Sequence, residues 1–183
     1  MNVRKTELPG VLLIEPKVFG DARGFFYESF QAARYAQAGI GGPFVQDNLS
    51  RSARGTLRGL HFQEPRPQGK LIQVLRGTVY DVAVDVRRGS STFGRWFGIE
   101  LTEAQPVQLW IPPGFAHGFC VLSESADFFY KCTAFYAPEA ERCIAWNDPR
   151  IGIRWPVAEP LLSAKDRDAP SLDAAPVLPE FSG

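Results

Sequence analysis

The sequence predicts an all-β domain, a β-sandwich or jelly roll with a few short helices. Three observations carry the expectation. Fifteen prolines and seventeen glycines cut the chain into short pieces. Between these breaks lie several strand-length runs rich in β-branched and aromatic residues. Only one stretch reads clearly as a helix. At 183 residues the length suits a single domain, 1–183, with a core large enough to need no disulfides.

In chain order, the helix starts near Ser29 as N-cap and ends at Gly39. Leu71-Ile72-Gln73-Val74-Leu75 follows as a strand, and Arg76-Gly77 reads as a hairpin turn into the next. That next strand, Thr78 to Val86, is the clearest: Tyr80, Val82, Val84 and Val86 point one way, Asp81 and Asp85 the other. Further strands are expected at Trp96 to Leu101, Val107 to Ile111, Gly118 to Leu122, Asp127 to Tyr136 and Cys143 to Trp146. From about residue 163 the chain becomes rich in Pro, Ala and Asp and reads as an irregular tail.

Composition removes several function classes. No apolar run approaches the roughly 20 residues that span a bilayer, and Met1 to Thr6 lacks the apolar stretch of a secretory signal. A net charge of zero argues against general nucleic-acid binding. Cys120, Cys132 and Cys143 form no C-x-x-C pair and read as free thiols in a reducing cytoplasm. Charge is nevertheless uneven: Arg51, Arg54, Arg58, Arg66 and Lys70 stand against Glu64 alone. Such a run is either a solvated face or an anion site suited to a diphosphate, whose oxygens match arginine's planar fork.

The chain has two histidines. His61 lies in Arg58-Gly59-Leu60-His61-Phe62-Gln63 and His117 in Pro112-Pro113-Gly114-Phe115-Ala116-His117-Gly118-Phe119. A lone histidine among aromatics is commonly a satisfied core residue, but a neighbouring glycine lets a ligand approach the backbone closely. No His-x-His is present; two histidines with one carboxylate would still make a facial triad, although Lys70 and the arginines would oppose a cation there. No nucleophile elbow, P-loop or dinucleotide fingerprint appears. Any reaction is therefore expected to run on acid, base and electrostatics, with no metal and no cofactor.

Six stretches then converge. Arg23-Gly24-Phe25-Phe26-Tyr27-Glu28, Gln46-Asp47-Asn48-Leu49-Ser50, Arg58 to Gln63, Lys70-Leu71-Ile72-Gln73-Val74, Trp110 to Phe119 and Tyr130-Lys131-Cys132-Thr133 resemble the dTDP-4-dehydrorhamnose 3,5-epimerase family. The resemblance runs from about Leu8 to Leu172. It departs from the family's pattern at Pro113 and at the three cysteines. It implies a cupin-like jelly roll of the metal-free kind, acting in the cytoplasm as a homodimer with an exchanged N-terminal strand. The implied reaction epimerises dTDP-4-dehydro-6-deoxy-D-glucose at C3 and C5 to dTDP-4-dehydro-L-rhamnose, on the route to dTDP-L-rhamnose. By resemblance, His61 is the base, Asp166 orients it, Tyr130 is the acid on the opposite face, and Lys70 stabilises the enolate. Arg58, Gln46, Asn48 and His117 would hold the sugar diphosphate, with Glu141 and Lys165 as further contacts and Tyr136 stacked on thymine. Arg23, Phe26 and Glu28 would come from the neighbouring subunit.

The chemistry explains these residue types. A proton next to a ketone is far less acidic than an imidazolium, so a cation must stabilise the enolate as it forms; one such donor is worth about 2.7–4 kcal/mol. A carboxylate behind the imidazole fixes its tautomer. Inversion needs a proton returned from the other face. Spacing places Gln46 with Asn48, Phe26 with Glu28, and, if the strand runs unbroken, Tyr130 with Tyr136 on shared strand faces. Arg58 and His61, three apart, would face opposite ways unless Gly59 marks a bulge. The rival readings are an epimerase of one centre, a metal-dependent cupin enzyme, and a non-catalytic sugar-nucleotide binding module.

Overall fold

In the computed structural model, residues 1–181 are described; residues 182 and 183, the end of the expected domain and tail, lie outside the described residues. The strands are β1 (Asn2–Lys5), β2 (Leu12–Glu15), β3 (Phe19–Asp21), β4 (Gly24–Phe26), β5 (Gln46–Ala53), β6 (Leu57–Gln63), β7 (Lys70–Arg76), β8 (Thr78–Asp85), β9 (Trp96–Thr102), β10 (Gln108–Ile111), β11 (Phe115–Val121), β12 (Ser125–Cys132) and β13 (Glu141–Cys143). Two short helices, α1 (Ala32–Gln37) and α2 (Ala164–Arg167), complete the set with a 3-10 turn at Pro138–Ala140. A six-stranded sheet runs β1-β2-β10-β7-β12-β5 and a five-stranded sheet β13-β6-β11-β8-β9; β3 and β4 form a separate hairpin. The architecture is the expected all-β, cupin-like sandwich.

Apolar residues occur on both faces of each sheet, and most of them are covered, Leu49 and Leu75 being exposed. Ile72, Leu109 and Phe128 of one sheet meet Val79, Leu101 and Phe119 of the other in the inner core. Phe119 stacks on Phe128 with ring centroids 3.9 Å apart, tying β11 to β12 across the sandwich. Each such side chain contributes roughly 1.5–3 kcal/mol on burial. Outside the five-stranded sheet, Tyr80, Val82, Val84 and Val86 pack with Leu172, Ala175 and Leu178 of the C-terminal stretch. This confirms the alternation read from β8 and shows that the irregular tail is docked. Outside the six-stranded sheet, Ile14, Leu71 and Trp110 are covered by Tyr35 and Ile40 around α1.

Several local expectations change. Arg76-Gly77 does not turn a hairpin, because β7 pairs with β10 and β12 while β8 pairs with β11 and β9. Gly77, at φ +80°, carries the chain over from one sheet to the other, where a Cβ would collide with Ser123 and Ser125. The N-cap of α1 is Gln31, whose Oε1 accepts from the Arg34 amide at 2.7 Å. Ser29 instead offers its carbonyl to Tyr35 and Gln108. The strand expected to reach Tyr136 ends at Cys132, where Thr133 turns its amide to Gly69. Strands β1 to β6 lie outside the runs singled out by apolar patterning. In β5 the reason is plain: Gln46, Asn48 and Ser52 occupy the inward positions, and Leu49 is exposed.

Candidate active site

Polar residues on inner strand faces gather at one mouth of the sandwich. Gln46 and Asn48 come from β5, Lys70 from β7, Tyr130 and Cys132 from β12, His61 and Gln63 from β6, and Glu141 from β13. Tyr136 closes the rim from the loop after β12. Direct pairing sets the arrangement: Tyr130 lies opposite Asn48, and Cys132 lies between Gln46 and Lys70. A second cavity, which shares His61, is lined by Arg58, Ser163, Lys165 and Asp166. Volumes of about 260 and 520 Å³ put the pair on the scale of a nucleotide sugar rather than an ion.

His61 Nε2 and Asp166 Oδ1 lie 2.5 Å apart. Asp166 is only 3 % exposed, although the sequence around it reads as tail. Ser163 caps α2 and donates to the second carboxylate oxygen at 2.8 Å. Burial pushes the Asp166 carboxyl up, but the hydrogen bond and charge of His61, with Ser163 and Lys165, outweigh it and hold the group below its ordinary value. The carboxylate oxygen thus accepts a hydrogen bond from Nε2–H, and Nδ1 is left with a lone pair.

Lys70 is buried and forms no ion pair among the described residues. Burial lowers its pKa against the opposing pull of Cys132, Asp81 and Glu141. Tyr130 packs its ring on Phe128, and burial raises its phenol above the ordinary value. A buried amine and a phenol thus line the same cavity as the imidazole.

The spacing problem at Arg58 and His61 resolves as a bulge. His117 pairs with His61 and Phe119 with Arg58, so Gly59 and Leu60 together oppose Gly118. Gly59 has φ +138°, and a Cβ there would lie 2.5 Å from Gly118 Cα. Both side chains consequently line the second cavity, and Arg58 Nη2 donates to Ser52 Oγ at 3.1 Å.

Gln46 Nε2 donates to Asn48 Oδ1 at 2.9 Å, and Gln46 Oε1 accepts from the Tyr136 amide at 2.8 Å. Glu141 accepts from Lys165 at 2.7 Å and from the Tyr136 hydroxyl at 3.4 Å. His117, expected as a substrate contact, lines neither cavity. It lies buried beneath the cavity, Nε2 3.1 Å from each oxygen of Asp81, with burial lowering its pKa against that carboxylate. Each histidine thus has its own carboxylate, and the two do not share one. Arg23, Phe26 and Glu28 do not reach this cavity within one chain: Arg23 pairs with Asp21 on the β3–β4 hairpin, Phe26 is exposed, and Glu28 pairs with Arg34 at 2.7 Å.

Three supporting residues were given no role by the sequence. Gln63 binds the Arg66 and Phe135 carbonyls and the Ala137 amide, fixing the loop that bears Tyr136. Asp81 was visible only as the polar side of β8. Ser163 would have needed recognition as an N-cap followed three residues later by an acid. No helix among the described residues is long and apolar enough to cross a membrane.

The family model described as dTDP-4-dehydrorhamnose 3,5-epimerase matches residues 5–174. The chain is 55% identical over 182 residues to the dTDP-4-dehydrorhamnose 3,5-epimerase of Pseudomonas aeruginosa, covering 98% of this chain and 100% of that one. To the enzyme of the same name from Shigella flexneri it is 58% identical, covering 91% and 93%. Among solved structures, the dTDP-6-deoxy-D-glucose-3,5-epimerase of Legionella pneumophila, in complex with dTDP-4-keto-L-rhamnose, superposes with a TM-score of 0.97. That pair is 53% identical and covers 100% and 99% of the two chains.

Proposed function

The chain belongs to the dTDP-4-dehydrorhamnose 3,5-epimerase family, and from that membership we propose how its cavity performs the reaction. It is an isomerase that epimerises dTDP-4-dehydro-6-deoxy-D-glucose at C3 and C5. The observation that carries the residue assignment is the His61–Asp166 pair opening onto a cavity also lined by Lys70 and Tyr130.

Nδ1 of His61 removes the proton on the carbon beside the 4-keto group. Asp166 stabilises the imidazolium that results. Lys70 faces the ketone oxygen and offsets the enolate charge, acting more strongly for being withdrawn from water. Tyr130 returns a proton from the opposite face, which inverts the centre. The ketone activates both neighbours, so the same groups serve C3 and C5 in turn. Gln46, Asn48, Arg58, Glu141 and Lys165 hold the sugar diphosphate, and Tyr136 stacks on the base. His117 acts from below, through Asp81 and Lys70, rather than by touching substrate.

Residues 1–183 act as one domain, and two chains pair with an exchanged N-terminal strand. Exposed Phe19, Phe25 and Phe26 on the β3–β4 hairpin, together with the open edge of β5, support that reading. Arg23, Phe26 and Glu28 then complete the partner's site. Three free thiols fit work in the reducing cytoplasm.

The test is incubation with the 4-keto sugar nucleotide in deuterated water, followed by proton NMR and assignment of product stereochemistry. Deuterium and inversion at both C3 and C5 are expected. His61→Ala should abolish exchange and retain nucleotide binding; near-normal exchange in that variant would place the base elsewhere.

A further inference from the structure

Three chemically different ligand atoms converge behind the base. A ring nitrogen of His61, the Sγ of Cys143 and a carboxylate oxygen of Asp166 all lie within 4.8 Å of one another. The topology produces this convergence. Cys143 and His61 are directly opposed partners on β13 and β6, so their side chains leave the sheet on the same side. Asp166 arrives from α2 in a third direction. Asp166 is buried, the other two are half-buried, and Cys143 is a free thiol that the proton transfers leave unused.

We propose that His61, Cys143 and Asp166 form a site for a thiophilic divalent cation such as Zn²⁺, and that occupancy switches the base off. The switching half rests on the role assigned to His61 above. Nitrogen, thiolate and carboxylate are the donors zinc takes, and a tetrahedral ion holds them ~3.5 Å apart. The 2.5 Å His61–Asp166 contact would open by about 1 Å to admit the ion. A fourth position remains for water from the adjoining cavity. Thiolate and carboxylate together balance the ion's charge, and the nearby cation Lys165 is already engaged by Glu141.

The proton balance explains the inhibition. The thiol of Cys143 releases its proton to solvent as the sulfur–metal bond forms. Nε2, the nitrogen already facing Asp166, binds the metal through its lone pair, and the ring proton it held passes through solvent to Nδ1. A neutral imidazole carries one ring proton, so Nδ1 becomes N–H and has no lone pair for substrate. Nucleotide binding persists while proton transfer stops. Mg²⁺ and Ca²⁺, which prefer oxygen cages, are excluded by the thiolate and imidazole.

The experiment titrates metal-free, tag-free enzyme with Co²⁺ and then Zn²⁺. One Co²⁺ per chain with a thiolate-to-cobalt charge-transfer band is expected, displaced by Zn²⁺. Zn²⁺ should also stop deuterium exchange, and a chelator should restore it. Cys143→Ser should keep exchange without metal, lose the band, and bind Zn²⁺ more weakly by at least the roughly 100-fold that bounds the loss of an outer-shell partner. Absence of the band in the wild-type protein, or a Cys143→Ser affinity close to wild type, overturns the site. A bound ion with the band and undiminished exchange overturns the switch. Lack of exchange in the metal-free enzyme overturns the epimerase assignment instead, and the band still decides the site.

Discussion

Replacing Asp166 by Asn tests the base assignment at its most specific point. The substitution keeps size and hydrogen-bonding capacity but removes the charge 2.5 Å from His61 Nε2. In the transition state the ring carries a growing positive charge, with the charge centres roughly 4 Å apart. At an effective dielectric constant of about 20 that attraction is worth about 4 kcal/mol, or ~10³-fold in rate. If the new amide turns its NH₂ toward the ring, Nε2 must accept, Nδ1 carries the proton, and the loss approaches the ~10⁴-fold known for a comparable tautomer error. The assay is single-turnover deuterium incorporation with saturating nucleotide sugar, alongside KM for the steady state. A kcat lower by three to four orders of magnitude (~10³–10⁴) with KM little changed is expected. A loss below tenfold, with the fold intact by circular dichroism, would falsify the dyad.

Lys70 sets a pH dependence. Burial holds its ammonium below the usual lysine value, whereas burial pushes Tyr130 above the usual phenol value. The alkaline fall in kcat that Lys70 sets should therefore begin below the ordinary ~10.4 of lysine. Lys70→Arg, charged throughout, should move that limb upward in whatever activity remains; an unmoved limb assigns it to another group. Lys70→Met should cost about 2.7–4 kcal/mol of transition-state stabilisation, measured as kcat/KM. Gly59→Ala forces a Cβ to 2.5 Å from Gly118 Cα at φ +138°; strain of about 1–3 kcal/mol plus overpacking of about 1–3 kcal/mol should lower unfolding stability in urea. A change well under 1 kcal/mol would show that the bulge relaxes freely. Leu172→Ala empties a site that is 1 % exposed and should cost about 2–5 kcal/mol, read by the same denaturation; an unshifted midpoint would mean that the tail docks without it.

What the sequence displayed depended on whether a residue's surroundings were local. β8 was legible because its alternation is printed in consecutive residues, and Gln46 and Asn48 likewise declared a shared face. The corner at Gly77 was not legible: a tight turn between two strands looks alike whether they pair or enter different sheets, and partners farther along the chain, on β9 to β12, decide it. Arg58 and His61 showed the same limit, since the bulge needs Gly118 on β11 to receive Gly59. Resemblance supplied the site list, but the burial of Asp166 and the hidden position of His117 follow from packing alone. His117 had the right residue type and a glycine neighbour, yet Asp81 on the adjacent strand claims it first.

The proposed base and its carboxylate are separated by 105 positions, and the carboxylate rides on a segment held by Leu172, Ala175 and Leu178. During synthesis the strands that line the cavity leave the ribosome well before this segment does. Until that segment docks, the imidazole lacks the carboxylate that lies 2.5 Å from its Nε2. On the assignment proposed above, catalytic competence reports that the closing stretch has reached its groove.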